Sequence, residues 1–245
     1  MTEQKTLLLT GGSRGIGHAT VKHFNAAGWR VITTSRQEWS SECPWSKGEE
    51  NHIHLDLSNI NAIYTVIEEI KEKVGNGKLH ALVNNAGISP KTAEGSRIGV
   101  LDTDYETWLK VFNVNVFSTA ILARGLFNEL REAKGSIINV TSIAGSKVHP
   151  FAGVAYASSK AALTTLTREL AFEMGASGVR ANCIAPGEIE TSILSPGTED
   201  IVSAQVPMNR LGKPEEVASL IYFLCNNGAS YINGSEIHVN GGQHV

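Results

Sequence analysis

The sequence predicts an α/β protein built on a doubly wound parallel sheet of about seven strands. Three observations carry that reading. Seven short apolar runs alternate with longer stretches of helical period, a glycine-rich turn joins the first run to the first helical stretch, and no linker, repeat or composition shift divides the 245 residues. Alternation of this kind places parallel strands side by side through right-handed helical crossovers. The whole chain, 1–245, therefore reads as a single domain long enough for a large core.

The strands are read at KTLLLT (5–10), RVITT (30–34), HIHL (52–55), LHALVN (79–84), SIINVT (136–141), VRANCIA (179–185) and SEIHVN (235–240). Between the third and fourth, Ile60, Ile63, Ile67, Ile70 and Val74 recur at helical spacing behind Ser58, the expected N-cap. Before the last, KPEEVASLIYFL opens a helix: Pro214 suits its first turn and Glu215 and Glu216 its positive end. Val217, Leu220, Ile221 and Leu224 form its apolar stripe. One connection departs from the pattern. From Ser35 to Asn51 there is Pro44, Gly48 and no sustained helical period, so an irregular crossover packed down by Trp39 and Trp45 is expected.

Composition excludes several classes. A net charge of -3 with interspersed signs offers no basic surface for nucleic acid or anionic lipid. Cys43, Cys183 and Cys225 are too few and too scattered for a disulfide framework or a zinc site, so no metal is expected and a reducing compartment suits them. The N-terminal apolar run is too short for a signal peptide and no stretch reaches membrane-spanning length, so a cytoplasmic location is expected.

The turn after the first strand is TGGSRGIG, Thr10 to Gly17, and a helical pattern follows it. Glycines there permit a tight turn and close approach of backbone to a pyrophosphate, which rests on the helix N-terminus. Dinucleotide folds place an acidic residue at the end of the second strand to hold a ribose hydroxyl. Here Ser35 and Arg36 occupy that place, and Arg14 lies in the loop beside it, a pairing suited to a 2′-phosphate. NADP(H) is thus expected over NAD(H). Further on, VAYASSKAALTTL sets Tyr156 and Lys160 four apart, on one helical face among small residues. Taken alone, that pair reads more readily as a surface Tyr resting on a Lys stem.

TGGSRGIG, NNAG (84–87), NVN ending at Asn115, VTSIAG with Ser142, YASSK (156–160) and APGEIET (185–191) occur in an order and spacing that resemble the short-chain dehydrogenase/reductase family over nearly the whole length. The resemblance implies a Rossmann-type fold and hydride exchange between a nicotinamide cofactor and a carbonyl or alcohol. It assigns Tyr156 as proton donor, Ser142 as second hydrogen-bond donor to the substrate oxygen, Lys160 as holder of the nicotinamide ribose and Asn115 as carrier of a relay water. It places Gly11, Ser13, Arg14, Gly15, Ile16 and Gly17, then Ser35, Arg36, Asp56, Leu57, Asn85, Ala86 and Gly87, on the cofactor. Pro186, Gly187, Ile189 and Thr191 join them, with Tyr156 and Lys160. Helices expected at 104–133 and 154–176 imply a homotetramer by the same likeness.

The tail from Pro207 looks most like the 3-oxoacyl-[acyl-carrier-protein] reductase branch, which implies reduction of a ketone or 3-oxoacyl substrate. Three departures set it apart: the segment 35–51 shortens the usual crossover after the second strand, the stretch between Gly87 and Trp108 is longer, and helix positions often basic in those reductases are Ala133 and Phe172. A sugar, polyol or other secondary-alcohol dehydrogenase is the alternative, and a non-catalytic dinucleotide sensor a third reading that the presence of all four motif residues opposes. Ser89, Pro90, His149, Phe151, Glu188 and Ile193 are candidate pocket residues. His149 is weighed as an extra acid or base, and Ser159 is given only a packing role.

Overall fold

Leu7, Leu8 and Leu9 have no solvent exposure, although successive residues of a strand face opposite ways. A strand so placed must be covered on both faces, the mark of a central strand in a parallel sheet. The computed structural model describes residues 3–37, 48–192, 194–195 and 197–245. In chain order its elements are β1 (Thr6–Thr10), α1 (Gly15–Ala26), β2 (Arg30–Ser35), β3 (His52–His54), α2 (Ile60–Val74), β4 (Ala81–Asn84), α3 (Tyr105–Phe112), α4 (Ser118–Gly125), α5 (Phe127–Ala133), β5 (Ser136–Val140), α6 (Val154–Gly175), β6 (Arg180–Pro186), α7 (Thr198–Gln205), α8 (Pro214–Leu224) and β7 (Glu236–Val239).

The seven strands form one sheet in the order β3-β2-β1-β4-β5-β6-β7, and every pairing is parallel. The chain winds outward from β1 in one direction and from β4 in the other. The crevice at the carboxyl ends of β1 and β4 is therefore the topological switch point where such sheets bind ligands. One apolar cluster fills the face under α2, α4, α5 and α6, around Ile63, Leu82, Leu122 and Ile137. The other fills the face under α1 and α8, around Phe24, Val83, Ile184 and Ile221.

Local chemistry explains where the elements begin and break. Asn59, not Ser58, caps α2: its side chain accepts from the Ala62 amide at 3.2 Å. Ser58 is diverted because its own amide donates to Asp56 Oδ1 at 2.9 Å, a turn that brings Asn59 to the capping position. The helix expected over 104–133 is interrupted twice. Asn113–Phe117 forms a π turn containing Asn115, and Leu126 separates α4 from α5. Such π turns re-aim side chains and concentrate at functional sites. Trp39 and Trp45, expected to pack the crossover after β2, lie outside the described residues. Among the described residues no helix is long and apolar enough to cross a membrane.

Candidate active site

A cleft of about 540 Å³ opens at the carboxyl ends of β1, β4 and β5. Its inner end is the turn after β1. Gly11 has φ +74, a left-handed conformation that an L side chain resists. A Cβ on Gly17 would fall 2.0 Å from the Gly11 carbonyl oxygen. Gly17 therefore lets the loop close on itself and lies buried behind it, off the cleft wall where a cofactor contact was expected. Asn85 braces the loop from below, its amide donating to the Thr10 and Gly11 carbonyls at 3.1 and 2.9 Å. No side chain caps α1, so its N-terminal end, with Ser13, Arg14, Gly15 and Ile16, faces the cleft.

The outer wall comes from the ends of β2 and β3. Ser35, Arg36, Asp56 and Leu57 all line it. Burial alone would raise the Asp56 pKa. The hydrogen bonds from Ser58, with the charges of Arg36 and Lys110, outweigh burial and hold the carboxyl below its usual range. Ala86 and Gly87 follow β4 along the floor, while Pro186, Gly187, Ile189 and Thr191 follow β6 over the top. The Thr191 methyl lies 3.1 Å from where a Gly15 Cβ would sit, so this segment closes on the glycine loop. Bare backbone at the turn and an uncapped helix end form a cradle that fits a dinucleotide pyrophosphate.

At the other end, Ser142 caps a single turn after β5, accepting from the Ala144 amide. It lines the cleft with Tyr156, on the first turn of α6, and its hydroxyl acts on the phenol. The phenol pKa is pushed up by burial first, then pulled down by the Ser142 bond and raised again by the charge of Glu188. The side chain from Lys160, one turn along, runs beneath the Tyr156 ring, Nζ 5.6 Å from its centroid. Its ammonium donates to the Val140 carbonyl at 2.7 Å, and burial pushes its pKa down to about 8. Burial thus acts on both groups, raising the phenol pKa and lowering that of the ammonium.

Asn115 does not line the cleft. It is 1 % exposed behind Gly87, and its amide is spent on structure: Oδ1 accepts from the Ile88 amide at 2.9 Å, and Nδ2 donates to the Ile88 carbonyl and to Ser159 Oγ. Ser159, expected only to pack, is thus its hydrogen-bond partner. Both His149 nitrogens are likewise engaged. Nδ1 accepts from the Phe151 amide at 3.2 Å, so Nε2 carries the proton and donates to Glu188 Oε1 at 2.6 Å. That arrangement leaves no ring nitrogen for acid or base work. Ser89, Phe151 and Glu188 line the cleft and Pro90 does not; Ile193 is outside the described residues.

Sequence reasoning missed Lys91, which lines the same end and donates to the Phe151 carbonyl at 2.8 Å and Ser195 Oγ at 2.6 Å. It sits in the longer segment after Gly87, which folds back through a bridge between Lys91 and Arg97 and meets α6 where the Val154 amide donates to the Ile98 carbonyl. Nothing in its local pattern signals that contact. Of the two departures on the helices, Phe172 is 85 % exposed and Ala133 is half-buried.

Residues 11–244 match the family described as enoyl-(acyl carrier protein) reductase. A solved oxidoreductase of the short-chain dehydrogenase/reductase family from Brucella ovis, in complex with a partially ordered NAD, is 55% identical. It superposes with a TM-score of 0.85, covering 97% of this chain and 100% of that one. The chain belongs to the short-chain dehydrogenase/reductase family. It is an oxidoreductase of that family, with its glycine loop, Ser142 and the Tyr156–Lys160 pair in one cleft. Among its short-chain dehydrogenase/reductase relatives, protein FixR of Bradyrhizobium diazoefficiens is 54% identical over 244 residues, 99% of this chain and 88% of the relative. The 3-oxoacyl-[acyl-carrier-protein] reductase FabG of Aquifex aeolicus is 34% identical over 252 residues, 97% and 96% of the two chains.

Proposed function

We propose that the protein reduces a ketone or 3-oxoacyl substrate to the alcohol, reversibly, with NADP(H) preferred over NAD(H). The observation that carries this reading is the placement of Ser142, Tyr156 and Lys160 together at the end of a cleft whose other end is the glycine loop. A bound reduced nicotinamide supplies hydride to the carbonyl carbon. Tyr156, kept protonated by burial, gives its phenolic proton to the carbonyl oxygen, while Ser142 donates a second hydrogen bond to the charge developing there. Lys160 lies beneath the ring to favour the phenolate left behind and to reach the cofactor ribose. Asn115 acts at one remove, as a positioning residue that holds Ile88 and Ser159 beside the site.

Arg14 and Arg36 on the cleft wall, with Ser35 where an acid would hold the ribose, support NADP(H). The NAD complex of the Brucella ovis relative supports a nicotinamide dinucleotide without deciding the phosphate. The FabG relative supports a 3-oxoacyl substrate, whereas the exposed Phe172 argues against docking of an acidic carrier protein. We place the protein in the cytoplasm, in keeping with the free, buried thiols of Cys183 and Cys225. We also propose a homotetramer, supported by the apolar residues exposed along α3 and α6.

The test is loss of NADPH absorbance with acetoacetyl-CoA, run beside NADH and the Tyr156→Phe variant. Turnover with NADPH that falls at least about 10²-fold in the variant, with NADPH still bound, is expected. Undiminished turnover by Tyr156→Phe removes Tyr156 as the proton donor.

A further inference from the structure

Glu188, the first residue past Gly187, is a buried acidic residue at the substrate end of the cleft. Its side chain is 7% exposed, yet it lines the cleft with Ser142 and Tyr156. Oε1 accepts two hydrogen bonds, from His149 Nε2 at 2.6 Å and from Gln243 Nε2 at 3.3 Å. Oε2 accepts none among the described residues. The two donors fix which oxygen faces the protein and which faces the cleft. Burial alone would raise the Glu188 pKa. The bonds from His149 and Gln243, with the charge of Lys91, more than offset it, and the carboxyl stays ionised.

Oε2 is open to the cleft, and stripping the water from an ionised oxygen without supplying a donor is costly. An apolar acyl chain pressed against Oε2 would impose that cost. A hydroxyl would avoid it. A cationic donor is disfavoured, because Lys91 lines the same end of the cleft and its charge already reaches Glu188. We propose that Glu188 Oε2 receives a hydroxyl of the substrate beside its reacting carbonyl, which makes the substrate an α-hydroxyketone, or a vicinal diol in the oxidative direction. His149 and Gln243 are the positioning residues that present that oxygen. The inference rests on the ketone-reductase reading above and narrows its substrate.

Three ketones of one skeleton test it with NADPH: acetoin, butanone, which lacks the hydroxyl, and the methyl ether of acetoin, which keeps the oxygen and loses the donor. A site built around a substrate hydroxyl rejects analogues without it, so kcat/KM for acetoin is expected to exceed both others by on the order of 10²-fold. In Glu188→Gln the amide oxygen keeps the bonds from His149 and Gln243 and turns an NH2 toward the cleft. The acetoin preference then narrows to less than about tenfold. Equal use of acetoin and its methyl ether, or an unchanged preference in Glu188→Gln, overturns the proposal while the ketone reading stands. No turnover of any of the three with NADPH bound overturns both. If Glu188→Gln does not fold, the ranking of the three ketones by the wild-type protein decides alone.

Discussion

The Asn115 side-chain amide donates to the Ser159 hydroxyl at 2.9 Å, and that hydroxyl donates in turn to the Tyr156 carbonyl at 2.7 Å. The π turn is thereby tied to the first turn of α6, across 44 residues of sequence. A regular α-helix through Asn113–Phe117 would present a different residue at this point, since the π turn adds one residue to the repeat.

Ser159→Ala removes the middle of this chain. Asn115 Nδ2 keeps the Ile88 carbonyl as acceptor, so the loss is the bond from Asn115 and the bond to the Tyr156 carbonyl, about 1–3 kcal/mol together by urea unfolding. Because the bond steadies Tyr156 and the strand-end loop together, kcat is expected to fall several-fold while NADPH affinity stays the same. A variant as stable and as active as the parent would show that packing alone holds Asn115.

Much of this was readable in advance, for physical reasons that also mark the limit. All seven strands were legible because buried parallel strands are short runs of Val, Ile and Leu. The glycine loop, Ser142, Tyr156 and Lys160 were legible because ordered motifs carry them. The Asn59 cap was not, since Ser58 and Asn59 both suit the role and the Asp56–Ser58 turn decides between them. Lys91 and the Glu188–Gln243 bond were hidden because they join loops 55 or more residues apart, where no periodicity speaks. The raised pKa of Tyr156 was hidden for another reason: burial is a property of the folded surroundings, not of the Tyr–Lys spacing.

Arg36→Asp tests the cofactor preference. Arg36 is exposed, so solvent screens its pairing and the loss falls toward the low end for a charge-assisted bond. The dissociation constant for NADPH, read by fluorescence titration, is expected to rise roughly tenfold. NADH binding should hold or improve, because the new carboxylate can accept the ribose hydroxyls. Unchanged NADPH affinity would leave the 2′-phosphate without Arg36 as its partner.

Tyr105 is 70% exposed, Leu109 42% and Phe117 44%, all along the interrupted helix that packs beside α6, where Phe172 is 85% exposed. Exposed apolar side chains gathered on adjacent helices mark an association surface. Sedimentation at micromolar concentration is expected to give four times the 26.3 kDa of one chain. A monomer there would refute the tetramer and leave these side chains to another partner.

Lys160 gives a prediction of opposite sign for stability and for activity. Its pKa in the folded protein is about 8 against an ordinary 10.5, so burial of the charge opposes folding. Below pH 8 the ammonium is charged in both states and the cost is fully present, on the order of 3 kcal/mol. Between pH 8 and the ordinary value the unfolded chain holds a proton that the folded chain has released, and stability gained from this group rises with pH. Lys160→Met removes the charge at similar length and loses only the bond to Val140, about 1 kcal/mol. The ligand-free variant should therefore be about 2 kcal/mol more stable than the parent in urea at pH 7. The advantage should shrink steadily toward pH 10, while turnover is lost throughout. A variant less stable at pH 7 would mean that the Val140 bond outweighs the buried charge. A gain independent of pH would mean that packing, not the charge, is what Lys160 sacrifices for function.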